Sequence, residues 1–171
     1  EDSGDILGFA FSWVCGDLWF LAELFVAPGQ QGRGIGNELL ARTLAHAETK
    51  KATRKALITF AFNTVSQGLY VQHGLLPRLP LNFLKISRDT LLNGLQNASI
   101  QSAALKATDL QHLSDIDAHA LGTSREKHHR YLMSDSGMTG FLLHSGDECI
   151  AYLYVNSEGH IGPLAVTRAD M

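Results

Sequence analysis

The sequence predicts an α/β protein with a mixed sheet, because apolar β-branched runs alternate with segments of helical period. Residues 6–15 and 18–27 are apolar runs joined by a Gly-Asp pair that is typical of a turn. Apolar residues then recur at helical spacing over 35–49. The near-continuous apolarity of 18–27 predicts a strand buried on both faces.

The remainder of the first half continues the alternation. Residues 56–62 predict a third strand, a short helix follows from about Ser66 and ends at Gly74, and residues 81–87 predict a further strand. The predicted order of this half is therefore β-β-α-β-α-β.

The second half begins after a segment rich in Asn, Ser and Gly, residues 89–100. We expect a linker at 91–100 between a first part, 1–90, and a second part, 101–171. The second part predicts a short strand, helices from 108 and over about 124–133, a hairpin that turns at Gly146-Asp147, and a last strand at 160–166.

Composition restricts the function classes. The chain has 171 residues, of which 45% are hydrophobic and 18% charged, with a formal net charge of −3. A small negative charge argues against nucleic acid as a partner. No apolar run is long enough to span a membrane and no signal peptide is evident, so we expect a cytoplasmic protein.

The cysteines and histidines do not form a metal-binding pattern. Cys15 and Cys149 are far apart in apolar stretches, which predicts two buried thiols, with one disulfide as the alternative. Closely spaced ligand pairs are missing. His128 and His129 are adjacent, and adjacent residues on a helix point in different directions. We therefore expect no metal.

A glycine-rich stretch lies between the second strand and the first helix. Gly32, Gly34 and Gly36 alternate with Arg33 and Ile35 in the segment PGQQGRGIGNELL. Glycines let a ligand approach the backbone, and a helix N-terminus offers unpaired N–H groups to an anion. The stretch lacks the Lys-Ser/Thr of a P-loop and the G-x-G-x-x-G spacing of a dinucleotide loop. It predicts a phosphate site of another type.

The whole segment LAELFVAPGQQGRGIGNELLARTL resembles the acyl-CoA-binding core of the GNAT acetyltransferase superfamily. In that core, a strand ending in V-x-P precedes Gln/Arg-x-x-Gly-x-Gly/Ala, and Gln31, Gly34 and Gly36 stand at those positions. Downstream, NTVSQGLYVQHGL is similar to the family's second element through Asn63, Ser66, Tyr70 and Gly74. Leu75 stands where that element has an aromatic residue.

The resemblance implies a GNAT-like acyl-CoA N-acyltransferase fold that binds acetyl-CoA. The backbone from Gly32 to Asn37 would bind the pyrophosphate, the strand from Leu24 to Val26 would bind pantetheine and polarise the acetyl carbonyl, and Tyr70 would protonate the leaving thiolate. The implied cofactor-binding residues are Leu24, Phe25, Val26, Gln31, Gly32, Arg33, Gly34, Ile35, Gly36, Asn37, Asn63, Ser66 and Tyr70.

Glu23 is the candidate general base, directly or through water, because an amine must lose a proton to attack. It interrupts an apolar strand, which places a carboxylate inside a sheet or at a cleft. The alternatives are a substrate-binding carboxylate, a structural one, and an edge-strand glutamate that faces water.

The order of elements differs from that of one family domain, which begins with a strand and two helices. Residues 1–90 resemble such a domain from its third strand onward, and residues 101–171 resemble its beginning, up to its fourth strand. Three accounts are open: a fragment of a tandem protein, a permuted or composite domain, and a homodimer in which two chains complete each other. The segment LGTSREKHHRYL is similar to the second helix of some two-module members of the family, with Arg125 in the G-x-x-R pattern. The resemblance implies that residues near Arg125 and His129 line the amine pocket, and a solvated helix face is the alternative.

The sequence therefore predicts an N-acetyltransferase in which a primary amine of a small molecule or peptide attacks acetyl-CoA directly in a ternary complex. A non-catalytic acyl-CoA-binding or sensing module is the first alternative. A half-module that acts only within a larger assembly is the second.

Overall fold

The computed structural model describes residues 4–82, 84–95 and 100–168. The chain divides into two compact units, Glu1–Leu79 and Pro80–Met171. Each unit has its own sheet: three strands in the first and four in the second. The mixed α/β class predicted from the sequence is confirmed.

Unit 1 contains a hairpin, two helices and a short parallel strand. Its elements are β1 (Gly8–Cys15), β2 (Leu18–Val26), α1 (Ile35–Thr49), β3 (Arg54–Leu57) and α2 (Thr64–Gln72). Strands β1 and β2 are antiparallel, β3 is parallel to β2, and the sheet order is β1-β2-β3. The predicted bounds of α1 and the stop of α2 near Gly74, which has a φ of +76°, are confirmed.

Strand β2 contains a β-bulge at Ala22. Phe11 pairs with Glu23 and Ser12 pairs with Leu21, so Ala22 is one extra residue on β2. A bulge shifts the inside–outside alternation by one residue. Trp19 and Leu21 face the helices before the bulge, and two further residues, Leu24 and Val26, take that direction after it.

The core of unit 1 lies between the sheet and its two helices. Its buried residues are Trp19, Leu21, Leu40, Ala47, Ala52 and Tyr70. At the other end of the sheet, Asp17 accepts two hydrogen bonds from the Arg54 guanidinium, at 2.9 and 2.6 Å. This ion pair joins the β1–β2 turn to the start of β3.

Two expectations for unit 1 are wrong. The third strand comprises only Arg54–Leu57 rather than 56–62, because residues 58–60 leave the sheet and 61–62 form a turn. Strand β2 is not buried on both faces: Trp19 and Leu21 are buried, whereas Phe25 is 58% exposed.

Unit 2 is a four-stranded antiparallel sheet with helices before its second strand. Its elements are α3 (Arg88–Leu95), β4 (Ile100–Ala104), α4 (Leu110–Leu121), α5 (Glu126–Ser134), β5 (Met138–Ser145), β6 (Glu148–Asn156) and β7 (Ile161–Val166). The sheet order is β4-β5-β6-β7. The predicted hairpin is confirmed, with Gly146 at a φ of +61° between β5 and β6.

The segment between the predicted parts differs from expectation. Within 81–87, the described residues form no strand, and Phe83 lies outside the described residues. Residues Arg88–Leu95 are helical, although we expected a linker there. The Ser87 hydroxyl accepts the Thr90 N–H at 3.2 Å and so caps the start of this helix, ahead of Leu91 and Leu92. Residues 96–99, in the predicted linker, lie outside the described part.

Helices α4 and α5 cover one face of the unit 2 sheet. The buried core between the helices and the sheet consists of Leu113 and Ile116 of α4 and of Leu142, Tyr152, Tyr154 and Ala165 of the strands. On the opposite face of β7, Leu164 is 52% exposed. The two helices thus cover the face to which Tyr152 and its neighbour on β7, Ala165, belong.

Gly8 provides a test of the β1–β2 packing. A Cβ at this position would lie 2.6 Å from the Phe25 carbonyl oxygen and 3.3 Å from Leu39 Cδ1. We expect Gly8→Ala to lower the free energy of unfolding by roughly 1–3 kcal/mol in urea denaturation. Gly29→Ala is the control, because a Cβ there has no atom within 4 Å; equal effects would contradict the close approach.

Candidate functional site

The edge of β2 is unpaired on its β3 side beyond the bulge. Pairing with β3 ends at Leu21, and the described residues of unit 1 include no further strand on that side. The Ala27 N–H donates to the Leu7 carbonyl at 2.9 Å, so alternation directs the Phe25 backbone toward β1 as well. The N–H groups of Leu24 and Val26 therefore point to the open side.

The Val26 carbonyl is also on this side, where the Gln31 side-chain amide donates to it at 3.3 Å. Gln31 thus connects the strand edge to the glycine stretch. Of the three strand residues that the sequence indicated, Leu24 and Val26 present their backbone to the open edge and Phe25 does not.

The glycine stretch forms an open turn before α1. Gly32 and Gly34 have φ values of +76° and +80°, and a Cβ at either position would have no atom within 4 Å. The first helical hydrogen bond runs from the Glu38 N–H to the Gly34 carbonyl at 3.0 Å. The N–H groups of residues 35–37 therefore precede the helical pattern and are available to an anion.

The Arg33 side chain is exposed beside this turn and donates to the Gln30 side chain. Its charge adds to the partial positive charge of the helix N-terminus. Gly36 faces Val26 and Leu69, because a Cβ there would lie 3.6 Å from both Val26 Cγ2 and Leu69 Cδ2, at ordinary van der Waals distance. The first turn of α1 thus lies on the end of β2 and beside α2.

Asn63 and Ser66 form the N-terminal cap of α2. The Asn63 Oδ1 accepts the Ser66 N–H at 3.2 Å. Tyr70 is buried in the unit 1 core, and burial raises its pKa, an effect that a hydrogen bond with Ser66 partly opposes. Tyr70 is therefore protonated at neutral pH, as a proton donor must be.

Glu23 is exposed on the face of β2 opposite the helices. The expectation of a carboxylate buried in the sheet is wrong, because the bulge at Ala22 turns this side chain away from the core. Glu23 and Tyr70 belong to opposite faces of β2. The open edge of Leu24 and Val26 lies between those faces.

Unit 2 contains a buried polar network centred on Asp117. Its Oδ1 accepts from Arg125 Nη2 at 3.0 Å and from the Tyr152 hydroxyl at 2.6 Å. Its Oδ2 accepts from the Arg125 backbone N–H at 3.0 Å and lies 2.9 Å from His129 Nε2. The Tyr154 hydroxyl lies 3.0 Å from the other ring nitrogen, Nδ1 of His129.

This network joins α4, the start of α5 and β6. His129 is 1% exposed, so the alternative of a solvated helix face is wrong for this residue. Asp117 and the two tyrosines were not singled out from the sequence. One signal could have found Asp117: a carboxylate four residues after Leu113, on the apolar face of α4.

Electrostatics supports a charged Asp117 and neutral tyrosines. Burial opposes the ionisation of Asp117, but hydrogen bonds from His129, Arg125 and Tyr152 hold the pKa of Asp117 well below its usual range. Burial is the main cause that raises the pKa of Tyr152, and burial also raises the pKa of Tyr154 to about 12.

Among the described residues, neither Cys15, which is buried, nor Cys149, which is half-buried, forms a disulfide, and burial raises the pKa of the Cys149 thiol. No group of three His, Cys, Asp or Glu side chains in the described ranges is arranged to bind a metal ion. None of the described helices combines the length and apolarity that crossing a membrane requires.

Comparison with known proteins identifies the class of fold. Residues 1–75 match the model of the acetyltransferase (GNAT) family, which confirms the resemblance seen in the glycine stretch and in the Asn63–Gly74 element. The chain is similar to an assigned acetyltransferase from Pyrococcus horikoshii, at 18% identity, a TM-score of 0.64 and 95% of this chain. It is also similar to a GCN5-related N-acetyltransferase from Kribbella flavida, at 16% identity, a TM-score of 0.54 and 95% coverage.

A third similar structure is a GCN5-related glucosamine N-acetyltransferase region in a fungal multi-domain GH3 β-N-acetylglucosaminidase, at 20% identity, a TM-score of 0.52 and 99% of this chain. The chain spans 52%, 44% and 23% of these three structures, respectively. A search of curated protein sequences found no match. These similarities establish a GNAT-like fold.

Asp117 and Asp115 allow a matched test of the unit 2 network. We expect Asp117→Asn to lower the free energy of unfolding by about 3–5 kcal/mol, because it leaves the half-buried Arg125 charge uncompensated. Asp115→Asn is the control on the same helix, since Asp115 is exposed and accepts a 2.8 Å bond from the neutral Gln111 side chain. Similar losses in both variants, measured by urea denaturation, would contradict the network.

The same comparison has a defined pH dependence. A depressed pKa in the folded state makes Asp117 stabilising above the unfolded carboxyl pKa of about 3.9. The stability difference between the native chain and Asp117→Asn should therefore be constant at neutral pH and shrink as the pH falls below about 4. A difference that persists unchanged at lower pH would contradict this assignment.

Proposed function

We propose that the chain is an N-acetyltransferase in which a primary amine attacks acetyl-CoA directly in a ternary complex. The observation that carries this proposal is the unpaired edge of β2 at Leu24 and Val26, beside the glycine turn before α1. The match of residues 1–75 to the GNAT family supports it.

The residues present fit a CoA thioester. The N–H groups of residues 35–37 and the Arg33 guanidinium offer donors and positive charge to a pyrophosphate. The open space over Gly32 and Gly34 admits a close approach to the backbone. The N–H groups of Leu24 and Val26 would bind pantetheine amides and polarise the acetyl carbonyl.

The chemistry removes two protons from the ammonium nitrogen and adds one proton to sulfur. Glu23, the proposed base, takes the first proton before the attack, directly or through water. Bound acetyl-CoA supplies an activated acetyl thioester: the amine nitrogen forms the new C–N bond while the C–S bond breaks and leaves its electron pair on sulfur. Tyr70, kept protonated by burial, gives its proton to the thiolate, and the second nitrogen proton, lost once the C–N bond has formed, restores the Tyr70 hydroxyl.

A second function, acyl-CoA binding without catalysis, is favoured by one observation. Tyr70 packs in the core and is 9% exposed, and Asn63 and Ser66 cap α2, so all three have structural roles independent of chemistry. Amine-dependent release of CoA distinguishes the two functions.

We also propose that the chain joins the C-terminal part of one GNAT module to the N-terminal part of another. Support comes from the units taken separately: in unit 1 the helices follow the hairpin β1–β2, and in unit 2 the helices α4 and α5 precede the hairpin β6–β7. The glycine stretch lies in the first part, so we expect one acetyl-CoA site per chain.

Calorimetric titration with acetyl-CoA tests the binding site. We expect saturable binding near one per chain, and a loss of about 10- to 100-fold in affinity for Arg33→Gln, because a charged hydrogen bond contributes about 1.5–3 kcal/mol. Arg42→Gln is the matched control further along α1, where Arg42 is bound to Glu38 at 2.8 Å. Absence of binding by the folded chain would reject the proposal.

Turnover of bound acetyl-CoA tests the chemistry. Tyr70→Phe should lower kcat about 10²-fold or more, the usual effect of losing a general acid, with acetyl-CoA affinity retained. Tyr131→Phe, at an exposed position of α5, should leave kcat unchanged. Glu23→Gln should lower kcat and remove the acidic limb of its pH profile; an unchanged profile would exclude Glu23 as the base.

A further inference from the structure

The face of unit 1 opposite its helices is lined with aromatic side chains. By the strand alternation on either side of the bulge, this aromatic face consists of Phe9, Phe11 and Trp13 of β1 and Phe20, Glu23 and Phe25 of β2. It is partly accessible: Phe9, Phe11 and Phe25 are 47%, 55% and 58% exposed.

The rings of this face are arranged in cross-strand pairs. Trp13 stacks on Phe20 with ring centroids 4.9 Å apart, and Phe9 contacts Phe25 with centroids 5.4 Å apart. Between these pairs in the register, Phe11 is paired directly with Glu23. One carboxylate therefore lies between two aromatic pairs, opposite a fifth ring.

This position of Glu23 results from the bulge. If β2 continued from Leu21 in regular alternation, without a bulge, Glu23 would point toward the helices, the direction in which Leu21 is buried. An organic ammonium ion binds favourably beside a carboxylate and aromatic rings, because both the negative charge and the ring quadrupoles attract the cation. Its apolar substituent would contact the neighbouring rings.

An apolar groove extends this face toward the glycine turn. Residues 6–9 and 25–28 line it, at the end of the β1–β2 hairpin from which the chain enters the glycine stretch. The groove and Glu23 thus lie on the same hairpin that carries the open edge of Leu24 and Val26.

We infer that the aromatic face binds the acceptor, and that the acceptor is a monocationic amine carried on an aromatic or apolar body. This inference rests on the proposed function, since it assigns the amine of that same reaction. Glu23 is the sole carboxylate among the six side chains of the face, which favours one ammonium group over the several charges of a polyamine. Arg54, near the far end of β2, is already paired with Asp17.

A comparison of the binding affinities of three small molecules tests the inference. Phenethylamine and 2-phenylethanol have the same ring and chain and differ in the cationic group, and 1,4-diaminobutane has charge without a ring. With CoA present, at neutral pH, calorimetry should show that phenethylamine binds about tenfold tighter than 2-phenylethanol and than 1,4-diaminobutane. This ratio corresponds to roughly 1.4 kcal/mol.

Variants assign this preference to the face. Glu23→Gln should abolish the preference of phenethylamine over 2-phenylethanol, and Glu48→Gln, at the exposed end of α1, should retain it. Phe11→Leu should weaken phenethylamine several-fold, whereas Phe62→Leu, 80% exposed and outside this face, should not. Equal urea midpoints would show that all four variants fold.

The outcomes separate the inference from the proposed function. If acetyl-CoA binds but phenethylamine shows no preference, or Glu23→Gln retains it, the inference is wrong and the proposed function stands. If acetyl-CoA does not bind, the proposed function is rejected and the acceptor role with it, whatever the amine affinity.

Discussion

An unpaired strand edge is the feature on which the rest of the unit 1 site depends. Pairing between β2 and β3 ends at Leu21 because the chain leaves the sheet after Leu57. Two N–H groups, those of Leu24 and Val26, then point to a side on which the described residues of unit 1 form no strand. An exposed edge is a liability that proteins usually cover, and we propose that a ligand bound at the neighbouring glycine turn supplies the missing partner.

The bulge at Ala22 divides the functions of the two faces of β2. It turns Leu24 and Val26 toward α1, where Gly36 in the first helical turn faces Val26. It turns Glu23 to the aromatic face. One inserted residue thus directs the side chains of Leu24 and Val26 to the face of β2 that α1 covers. It directs Glu23, the proposed acceptor-binding group, to the opposite face. In unit 2, the face covered by helices is the one that carries Tyr152 and Ala165, and the network of Asp117 fixes those helices to β6.

Local signals were sufficient for the hairpins and for the helices α1, α2, α4 and α5, but not for α3, where we expected a linker. Helical spacing and glycine stops predicted α1 and α2, and the glycine stretch predicted the turn before α1. Apolarity alone could not predict where a strand loses its partner. The strands predicted at 56–62 and 81–87 were therefore wrong. Nothing in the residues around Ala22 indicates a bulge, because bulges follow from the register of two strands. The network of Asp117 was missed for a related reason: its partner Tyr152 is 35 positions away in the chain.

Hydrogen exchange of backbone amides, with and without acetyl-CoA, tests the central claim most directly, because it observes the strand edge itself. We expect acetyl-CoA to slow exchange at Leu24, Val26 and residues 35–37, while the amide of Phe25, already bonded toward β1, changes little. Amides of β5 and β6 in unit 2 report any general stabilisation. Protection confined to the strand edge and the glycine turn would support the account. Unchanged exchange at Leu24 and Val26 under saturating acetyl-CoA would contradict it.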